Sequence, residues 1–385
     1  MNILHGVARA VLGTSLAVLA YTWVGYPLLL KLLLLRKPLS ELTPPPQWPM
    51  VSAITTVYNE EEVIGRKLEN LLSMEYPKDC LQILIVSDGS EDGTDDVVRQ
   101  YAGRGVDLYV RPVRGGVTVA FNDAVSRSRG DVILHSDADT RHEPDFLLKL
   151  MPHYADPLVG VAEGEFRFLN TEASGLAQNQ GLYWRFEMFL RRAESRLGVL
   201  STVSGAIMSF RKDVFEPFQP SHSVDGTLPK LAIRKGYRVV HEPSALAYDE
   251  MVRTVQGELR ARVRMTSRNL AGWGGKHAFP HPLRHPGTFT ALVSHKILRW
   301  LTPIFMILAL CSNLPLFRGR IARFLLGGQI LFYASAVTGY LLELRNVRLR
   351  IFSAPFSFCL ANLGFLLGWW KTLRQQRVVI YRSEQ

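Results

Sequence analysis

Two aspartates in the stretch 131–140, DVILHSDADT, have the chemistry and the spacing to bind a cation. Residues 132–134 are apolar and β-prone, so we predict a buried strand that ends as it reaches Asp137 and Asp139. Alternate side chains of a strand point to the same face, so the two carboxylates converge if the backbone stays extended between them. Carboxylate oxygens suit Mg²⁺ or Mn²⁺, and Mg²⁺ usually takes one or two protein carboxylates plus substrate phosphates. The stretch favours a metal–diphosphate site, although a solvated acidic turn has the same pattern.

Polar residues also follow two other predicted strands. Tyr58 and Glu60 follow the first, and Asp88 lies in the glycine-rich run SDGSEDGT that follows the second. We predict strands at 50–57, 81–86, 106–110 and 131–135, and helices at 60–73, 94–101 and 118–128. This alternation is typical of an α/β fold, in which a mostly parallel sheet carries helices on both faces. Ligands of such sheets bind beyond the carboxyl ends of the strands, so we expect the three polar strand ends to converge.

The composition restricts the possible partners. The chain has 385 residues, 47% of them hydrophobic, and a formal net charge of +11, which suits nucleic acid, anionic lipid or phosphorylated substrates. Several apolar windows are long enough to span a bilayer, which favours lipid and argues against nucleic acid. The three cysteines are scattered without a C-x-x-C pair, so neither a zinc site nor a disulfide framework is indicated.

Apolar windows lie at both ends of the chain. The first, 11–35, contains an uncharged run, 11–30, that is followed by Lys31, Arg36 and Lys37. No small-x-small cleavage site follows this run, which favours a retained anchor over a signal peptide, and the basic residues favour a cytoplasmic domain after it. Three more windows cover 297–317, 321–342 and 351–370. Three complete spans would place the basic tail 371–382 outside, against the positive-inside rule. Either this rule fails here, or one window is re-entrant or on the lipid surface, and Pro303 and Pro315 make the first of the three the candidate.

The motifs TTVYNEEEVI (55–64), IVSDGSEDGT (85–94) and HSDADT (135–140) resemble the nucleotide-sugar-binding half of the family 2 glycosyltransferases, which have the inverting GT-A fold. The resemblance covers about 49–273. Within that family the chain most resembles the membrane-embedded β-glycosyltransferases, such as hyaluronan, cellulose and poly-N-acetylglucosamine synthases. It implies an enzyme that transfers a sugar from a nucleotide diphosphate.

The resemblance implies roles for individual residues. It assigns Tyr58, Glu60 and Asp88 to the nucleotide, and Asp137 and Asp139 to the metal, with Asp139 as the direct ligand and Asp137 also turned toward the donor. On the acceptor side it implies Gly205 and Arg211, in the motif VSGAIMSFRKDVF. Asp225 in SVDGTLP falls where the family has its general base, the group that takes the proton of the acceptor hydroxyl. Aspartate followed by glycine is also a common turn, so a structural role for Asp225 stays open.

Two departures from the family pattern bear on these roles. In RGGVTVAFNDA (114–124), Val117 occupies the position of a family lysine, and Arg111 or Arg114 would have to replace that cation. The Q-x-x-R-W motif of processive members is reduced to MTSRN, so we expect Arg268 or Arg264 to face the diphosphate and Trp273 to replace the missing tryptophan. The arginines of 260–268 also suit a basic helix on the membrane surface.

The sequence thus predicts five regions and one leading function. The regions are a transmembrane anchor (1–37), a proline-rich linker (38–48), a cytoplasmic GT-A domain (49–255), an amphipathic helix and loop (256–290) and a C-terminal membrane region (291–385). The function is a multi-pass inner-membrane glycosyltransferase that uses Mg²⁺ or Mn²⁺ and a nucleotide sugar, most simply a UDP-sugar. It would make a β-linkage to a lipid-linked or polysaccharide acceptor, by single addition or processively. A catalytically impaired scaffold with the same fold and a nucleotidyltransferase are the alternatives. Trp184 and Phe186 would either line an acceptor groove or pack beneath the sheet.

Overall fold

The computed structural model describes residues 2–37, 44–170, 175–250, 254–271, 281–345, 347 and 349–375. Its centre is a single mixed sheet of eight strands in the order β3-β2-β1-β4-β7-β6-β8-β5. The strands are β1 Val51–Val57, β2 Leu81–Ser87, β3 Val106–Val110, β4 Val132–His135, β5 Arg141–His142, β6 Val159–Phe168, β7 Met208–Arg211 and β8 Arg238–Asp249. The parallel half, β1 to β4, confirms the strands predicted from the sequence to within one residue.

The helices of this region are α3 Glu61–Leu72, α4 Thr94–Arg99, α5 Val117–Arg127, α6 Phe146–Leu150, α7 Gly175–Leu197, α8 Val224–Arg234 and α9 Val255–Ala271. The first three agree with the predicted helices, and α4 ends two residues early. Beyond β4 the sheet is no longer uniformly parallel: β7 runs antiparallel to both β4 and β6, whereas β6 and β8 run parallel to each other. The carboxyl ends of β1, β2, β4, β6 and β8 therefore share one edge.

The two faces of the sheet are covered by separate apolar layers. Ala53 and Leu134 face a layer that includes Leu68 of α3, whereas Ile54 and Ile133 face a layer that includes Phe121 of α5. The alternation follows from the two-residue period of strand side chains. Each fully buried Leu, Ile or Phe contributes about 1.5–3 kcal/mol relative to an exposed position. This burial holds the strands in register, so that the polar residues after them lie at one edge.

Among the described residues, four helical stretches are long and apolar enough to cross a membrane: Ile3–Leu34, Pro286–Leu316, Arg320–Glu343 and Arg350–Leu373. The first consists of α1 Asn2–Ala20, a π-helical turn Tyr21–Gly25 and α2 Tyr26–Leu34. The second consists of α10 Pro286–Leu292, a π-helical turn Val293–Ile297 and α11 Leu298–Asn313, followed by a short 3-10 turn. The last two are α12 Arg320–Glu343 and α13 Arg350–Leu373. Helix α11 continues through Pro303, whereas Pro315 lies in the short 3-10 turn that follows it.

Helix α9, which contains the arginines discussed above, packs against α13. A side chain at Gly364 would stand 2.5 Å from Cβ of Arg262, and one at Gly368 would stand 2.6 Å from Cβ of Thr266. The two small residues, four positions apart, therefore let the two backbones approach closely. Because Val255 and Leu259 also pack on this helix, α9 connects the sheet domain to the apolar C-terminal region.

Candidate active site

The acidic stretch after β4 is built around a buried lysine. Nζ of Lys67, on α3, donates to the Thr140 carbonyl at 2.7 Å and to the Ser136 hydroxyl. Burial lowers the pKa of Lys67 to about 7, although the charges of Asp137, Asp139 and Asp249 favour its protonated form. The lysine therefore fixes the loop that carries the two aspartates.

Asp249, the last residue of β8, joins the same acidic group. Burial, and then the neighbouring charges of Asp139 and Asp137, raise the pKa of Asp249 to about 7. Burial and the charge of Asp137 also raise the pKa of Asp139 above its ordinary value. Negative charge is thus concentrated at the ends of β4 and β8, where a cation would relieve it.

Asp88 forms the wall of the site at the end of β2. Its carboxylate accepts hydrogen bonds from the backbone amides of Gly115 and Gly116, at 2.9 and 2.7 Å, and from the Arg111 guanidinium. Gly116 has a φ of +91°, a conformation that residues with a Cβ rarely adopt. These bonds hold the loop before α5 against the end of β2.

The two candidate replacements for the missing lysine behave differently. Arg111 has a structural role, because its guanidinium bonds both Asp88 and, through Nε at 2.6 Å, Asp123. The guanidinium carbon of Arg114 instead stands 3.4 Å from the centroid of the Tyr58 ring, a cation–π contact. Arg114 and Val117 both line the cavity beside Asp88. Arg114 thus supplies a cation to the cavity in which Val117 has none.

One cavity of about 410 Å³ collects most of the predicted donor residues. Its lining includes Tyr58, Glu60, Asp88, Arg114, Asp137, Asp139 and Arg264. These side chains come from four strand ends and loops and from α9, and they meet as the parallel sheet predicted.

The two arginine candidates on α9 have different positions. Arg264 lines the cavity. Arg268 is buried, and its Nη2 donates to Thr118 Oγ1 at 3.1 Å and to the His222 carbonyl at 3.3 Å. It joins α9 to the start of α5 and to the loop before α8, so of the two predicted diphosphate ligands the structure favours Arg264.

Asp225 and Gly205 lie next to each other. A Cβ at Gly205 would stand 3.4 Å from Cβ of Asp225. The Gly205 carbonyl lies 2.7 Å from Nδ1 of His135, the last residue of β4. Asp225 is in the first turn of α8, where the Ser223 hydroxyl bonds its carboxylate and accepts the Gly226 amide. Asp225 therefore adjoins the carboxyl end of β4, although it is outside the lining of the donor cavity.

Arg211 is not part of this arrangement, and its predicted acceptor role is corrected. It pairs with Val132 at the amino end of β4, at the sheet edge opposite the acidic residues. Its guanidinium donates to the carbonyls of Val159, Tyr154 and Asp156. Because β7 runs antiparallel to β4, Gly205 before the strand and Arg211 at its end fall at opposite edges. Trp273, the other predicted acceptor residue, lies outside the described residues.

Three residues of the site were missed by sequence reasoning. Lys67 follows Arg66 in an amphipathic helix and resembles a surface residue, and Asp249 ends a strand that was not predicted. Lys230, on α8, is buried, and burial lowers its pKa to about 8 while the charge of Asp225 opposes that shift. Lys230 therefore places positive charge near the candidate base. A lysine within an apolar helical face, such as Lys230 in LPKLAI, is the one signal that could have indicated burial.

The carboxylates fit a divalent cation that is completed by a ligand. Within the described ranges, no group of three or more His, Cys, Asp or Glu side chains is arranged to hold a metal by itself. Asp137 and Asp139 supply two hard oxygen donors in a region where burial already raises the pKa of Asp139. This donor set suits Mg²⁺ or Mn²⁺ bound by one or two carboxylates together with phosphate oxygens.

Comparisons with known proteins agree with the geometry. Residues 52–218 match the model of "Glycosyl transferase family 2". The chain is 27% identical over 162 residues to a beta-monoglucosyldiacylglycerol synthase of Synechocystis sp., covering 41% of this chain and 34% of that protein. It is 27% identical over 224 residues to a poly-beta-1,6-N-acetyl-D-glucosamine synthase of Staphylococcus aureus, covering 56% of this chain and 53% of that protein. These matches thus span about a third to a half of the curated relatives.

A solved structure extends the fold over nearly the whole chain. A mannosyltransferase from Pyrobaculum calidifontis, determined in complex with GDP-Man and Mn²⁺, superimposes with a TM-score of 0.71. The superposition covers 97% of this chain and 100% of that protein at 21% identity. The family match is confined to residues 52–218, and the superposition shows the architecture. This region therefore matches a family 2 glycosyltransferase domain, and the chain has the GT-A fold.

Proposed function

We propose that the chain is a membrane-bound inverting glycosyltransferase that moves a sugar from a nucleotide diphosphate to a lipid-linked or glycan acceptor. The observation that carries the proposal is the single cavity that Asp88, Asp137, Asp139 and Arg264 share at the carboxyl edge of the sheet. Relatives named for making a glucosyl glycolipid and a polysaccharide support a glycan or glycolipid product.

The nucleotide is assigned to the wall formed by Asp88 and Tyr58. The Asp88 carboxylate, held by two backbone amides, accepts hydrogen bonds from the base or the ribose. Arg114, stacked on Tyr58, and Arg264 supply positive charge for the diphosphate. A UDP-sugar is the first donor to test, and GDP-Man is the second, because the Pyrobaculum calidifontis enzyme was solved with it.

Asp139, with Asp137, would hold Mg²⁺ or Mn²⁺ together with the diphosphate oxygens. The bound cation supplies stabilisation of the negative charge that develops on the departing nucleoside diphosphate. Lys67 keeps the loop in place through its bonds to Ser136 and Thr140. The cation seen with the Pyrobaculum calidifontis enzyme, Mn²⁺, supports a divalent ion.

Asp225 is the proposed general base. Its carboxylate takes the proton of the acceptor hydroxyl as the acceptor oxygen bonds to the anomeric carbon and the bond from that carbon to the phosphate oxygen breaks. Attack opposite the leaving group inverts the anomeric centre, so an α-linked donor yields a β-linked product. The Ser223 hydroxyl, which bonds the carboxylate, orients it. The four apolar helical stretches support a membrane location. The basic residues Lys31, Arg36 and Lys37 after the first apolar run favour a catalytic domain on the cytoplasmic side.

Release of nucleotide by the purified protein tests the proposal. The protein is incubated in detergent with Mn²⁺ and, in turn, UDP-glucose, UDP-N-acetylglucosamine and GDP-mannose, and free nucleotide is measured. We expect Asp139→Asn and Asp225→Asn each to lower turnover at least ~100-fold, within the range of a general acid–base contribution. Asp79→Asn, at an exposed aspartate, is the matched control.

The outcomes discriminate between the functions considered. Donor binding without release of nucleotide in the wild type would support a scaffold that kept the fold. Full transfer activity in Asp225→Asn would remove Asp225 as the base while leaving the donor site intact.

A further inference from the structure

A second cavity, of about 570 Å³, lies where the sheet domain meets the apolar C-terminal helices. Its walls come from the end of β6, from α7 and from the start of α13. Trp184, on α7, lines the cavity, and its indole donates to the Phe166 carbonyl at 3.3 Å. The rings of Trp184 and Phe168 meet edge to face at 5.3 Å. These contacts hold the Trp184 and Phe168 rings in place, so the cavity has a rigid aromatic wall.

Four arginines line this cavity, and three of them are available to a ligand. Arg192 is paired with Glu165. Arg167, Arg185 and Arg350 are exposed, and within the described ranges no carboxylate forms an ion pair with any of them. They come from β6, α7 and α13, so only the tertiary structure brings the three charges together. Such a concentration of guanidinium groups suits a phosphate, whose oxygens accept paired hydrogen bonds from the planar fork.

Apolar side chains lie exposed beside these arginines. Leu182 lines the cavity and is 52% exposed, and Ile351, the neighbour of Arg350, is 74% exposed. Arg350 begins α13, one of the helices long enough to span a membrane. A free anion would make no favourable contact with these apolar side chains. A lipid headgroup is attached to apolar chains, which would pack against them.

The cavity also adjoins the catalytic edge of the sheet. Phe168, in its wall, pairs with Asp249 at the end of β8, and the amide of the next residue, Leu169, donates to the Asp249 carbonyl at 3.1 Å. Asp249 in turn belongs to the acidic group around Asp139. A ligand that occupies this cavity is therefore close to the site of sugar transfer.

We propose that this cavity binds a phosphate group carried on a lipid, and that a hydroxyl of the same headgroup is the acceptor. The oxygen of that hydroxyl bonds to the anomeric carbon and its proton passes to Asp225, while the nucleoside diphosphate leaves. Arg167, Arg185 and Arg350 hold the phosphate, the aromatic wall around Trp184 contacts the rest of the headgroup, and the apolar rim contacts the chain. The identification of the lipid as acceptor rests on the proposed function, whereas binding of a lipid phosphate does not.

Binding is tested on the full chain in phosphatidylcholine nanodiscs by calorimetric titration with three probes. Dihexanoyl phosphatidic acid has both phosphate and chains, dihexanoylglycerol lacks the phosphate, and inorganic phosphate lacks the chains. We expect phosphatidic acid to bind at least ~10-fold more tightly than either of the others, a difference of about 1.4 kcal/mol. The variant Arg167→Gln/Arg185→Gln/Arg350→Gln should weaken its binding at least ~10-fold.

A matched variant controls for net charge. Arg66→Gln/Arg99→Gln/Arg129→Gln removes three exposed arginines from the sheet domain, remote from the cavity, and should leave binding unchanged. An equal loss in both variants would overturn the proposal, because the binding would then report only overall charge. Inorganic phosphate binding as tightly as phosphatidic acid would also overturn it, in favour of a free-anion site.

Activity separates the acceptor assignment from the proposed function. With a nucleotide sugar that the wild type turns over, and with dihexanoyl phosphatidylglycerol as an acceptor whose headgroup has both a phosphate and hydroxyls, the ratio of sugar transfer to donor hydrolysis should fall at least ~10-fold in the cavity variant. An unchanged ratio would leave a lipid-binding site that does not serve the acceptor. Tight lipid binding in a wild type that turns over no donor would instead reject the proposed function alone.

Discussion

Replacing Glu163 by glutamine tests a buried network that connects the acceptor side of the site to the apolar helices. Glu163 lies on β6 and is 0% exposed. Its carboxylate accepts from the Ser204 amide at 2.6 Å, from Arg191 at 2.7 Å and lies 3.2 Å from Nδ1 of His241. Ser204 precedes Gly205, whose position against Asp225 depends on that loop. Glutamine keeps the shape of the side chain but removes its charge.

The expected loss follows from the contacts. Breaking a buried ion pair by removing one partner costs about 3–5 kcal/mol, because the remaining charge stays buried. Glutamine retains one acceptor oxygen, and Arg191 keeps its 2.8 Å bond to Glu187, so we expect the lower end, about 3 kcal/mol. For a domain of 150–250 residues this corresponds to a fall in Tm of ~6–12 °C. Displacement of the loop should also lower kcat for sugar transfer about 10-fold or more.

Thermal unfolding in detergent and steady-state kinetics measure the two effects. Glu75→Gln, at an exposed glutamate, is the control. Adding Arg191→Gln to Glu163→Gln should recover part of the Tm, because it removes the buried positive charge that Glu163 no longer balances, and Glu187 still has Lys296 and Arg299. A change in Tm below ~2 °C, or a double variant that is less stable by the sum of the two single losses, would refute the argument.

Three further predictions concern the donor site and the response to pH. Arg114→Gln should raise KM for the nucleotide sugar about 10-fold, with Arg114→Lys nearer to wild type, because the charge faces the cavity beside Tyr58; an unchanged KM would place the diphosphate elsewhere. EDTA should abolish release of nucleotide, and added Mn²⁺ should restore it. The Mn²⁺ concentration that gives half-maximal restoration should be at least ~10-fold higher in Asp139→Asn than in wild type. The same concentration in both proteins would show that Asp139 is not a ligand. Burial lowers the pKa of His241, but hydrogen bonds and charges from Glu163 and Glu165 outweigh it and raise the pKa above 6.5. Its contribution to stability is therefore complete below about pH 6.5 and is lost as the pH rises through the folded-state value, so Tm should fall over that range in wild type more steeply than in His241→Gln.

Much of the donor half could be predicted because its signals are local. The first four strands and three helices follow from runs of apolar residues whose period is visible in a few positions, and Asp88, Asp137 and Asp139 come directly after strand ends. The later strands were not predicted, since β6 and β8 are long, partly polar strands whose burial depends on each other and on α7. That omission hid Asp249, which ends β8.

What the sequence by itself determined is the order of the donor motifs and their common sheet edge, because parallel strands joined by helices must present their carboxyl ends together. What only the tertiary structure decided is which distant residues meet there. Lys67 is buried under the acidic loop, Arg114 rather than Arg111 turns into the cavity, and Arg264 rather than Arg268 lines that cavity. Each of these choices depends on contacts between residues far apart in the chain, and spacing within a motif carries no information about such contacts.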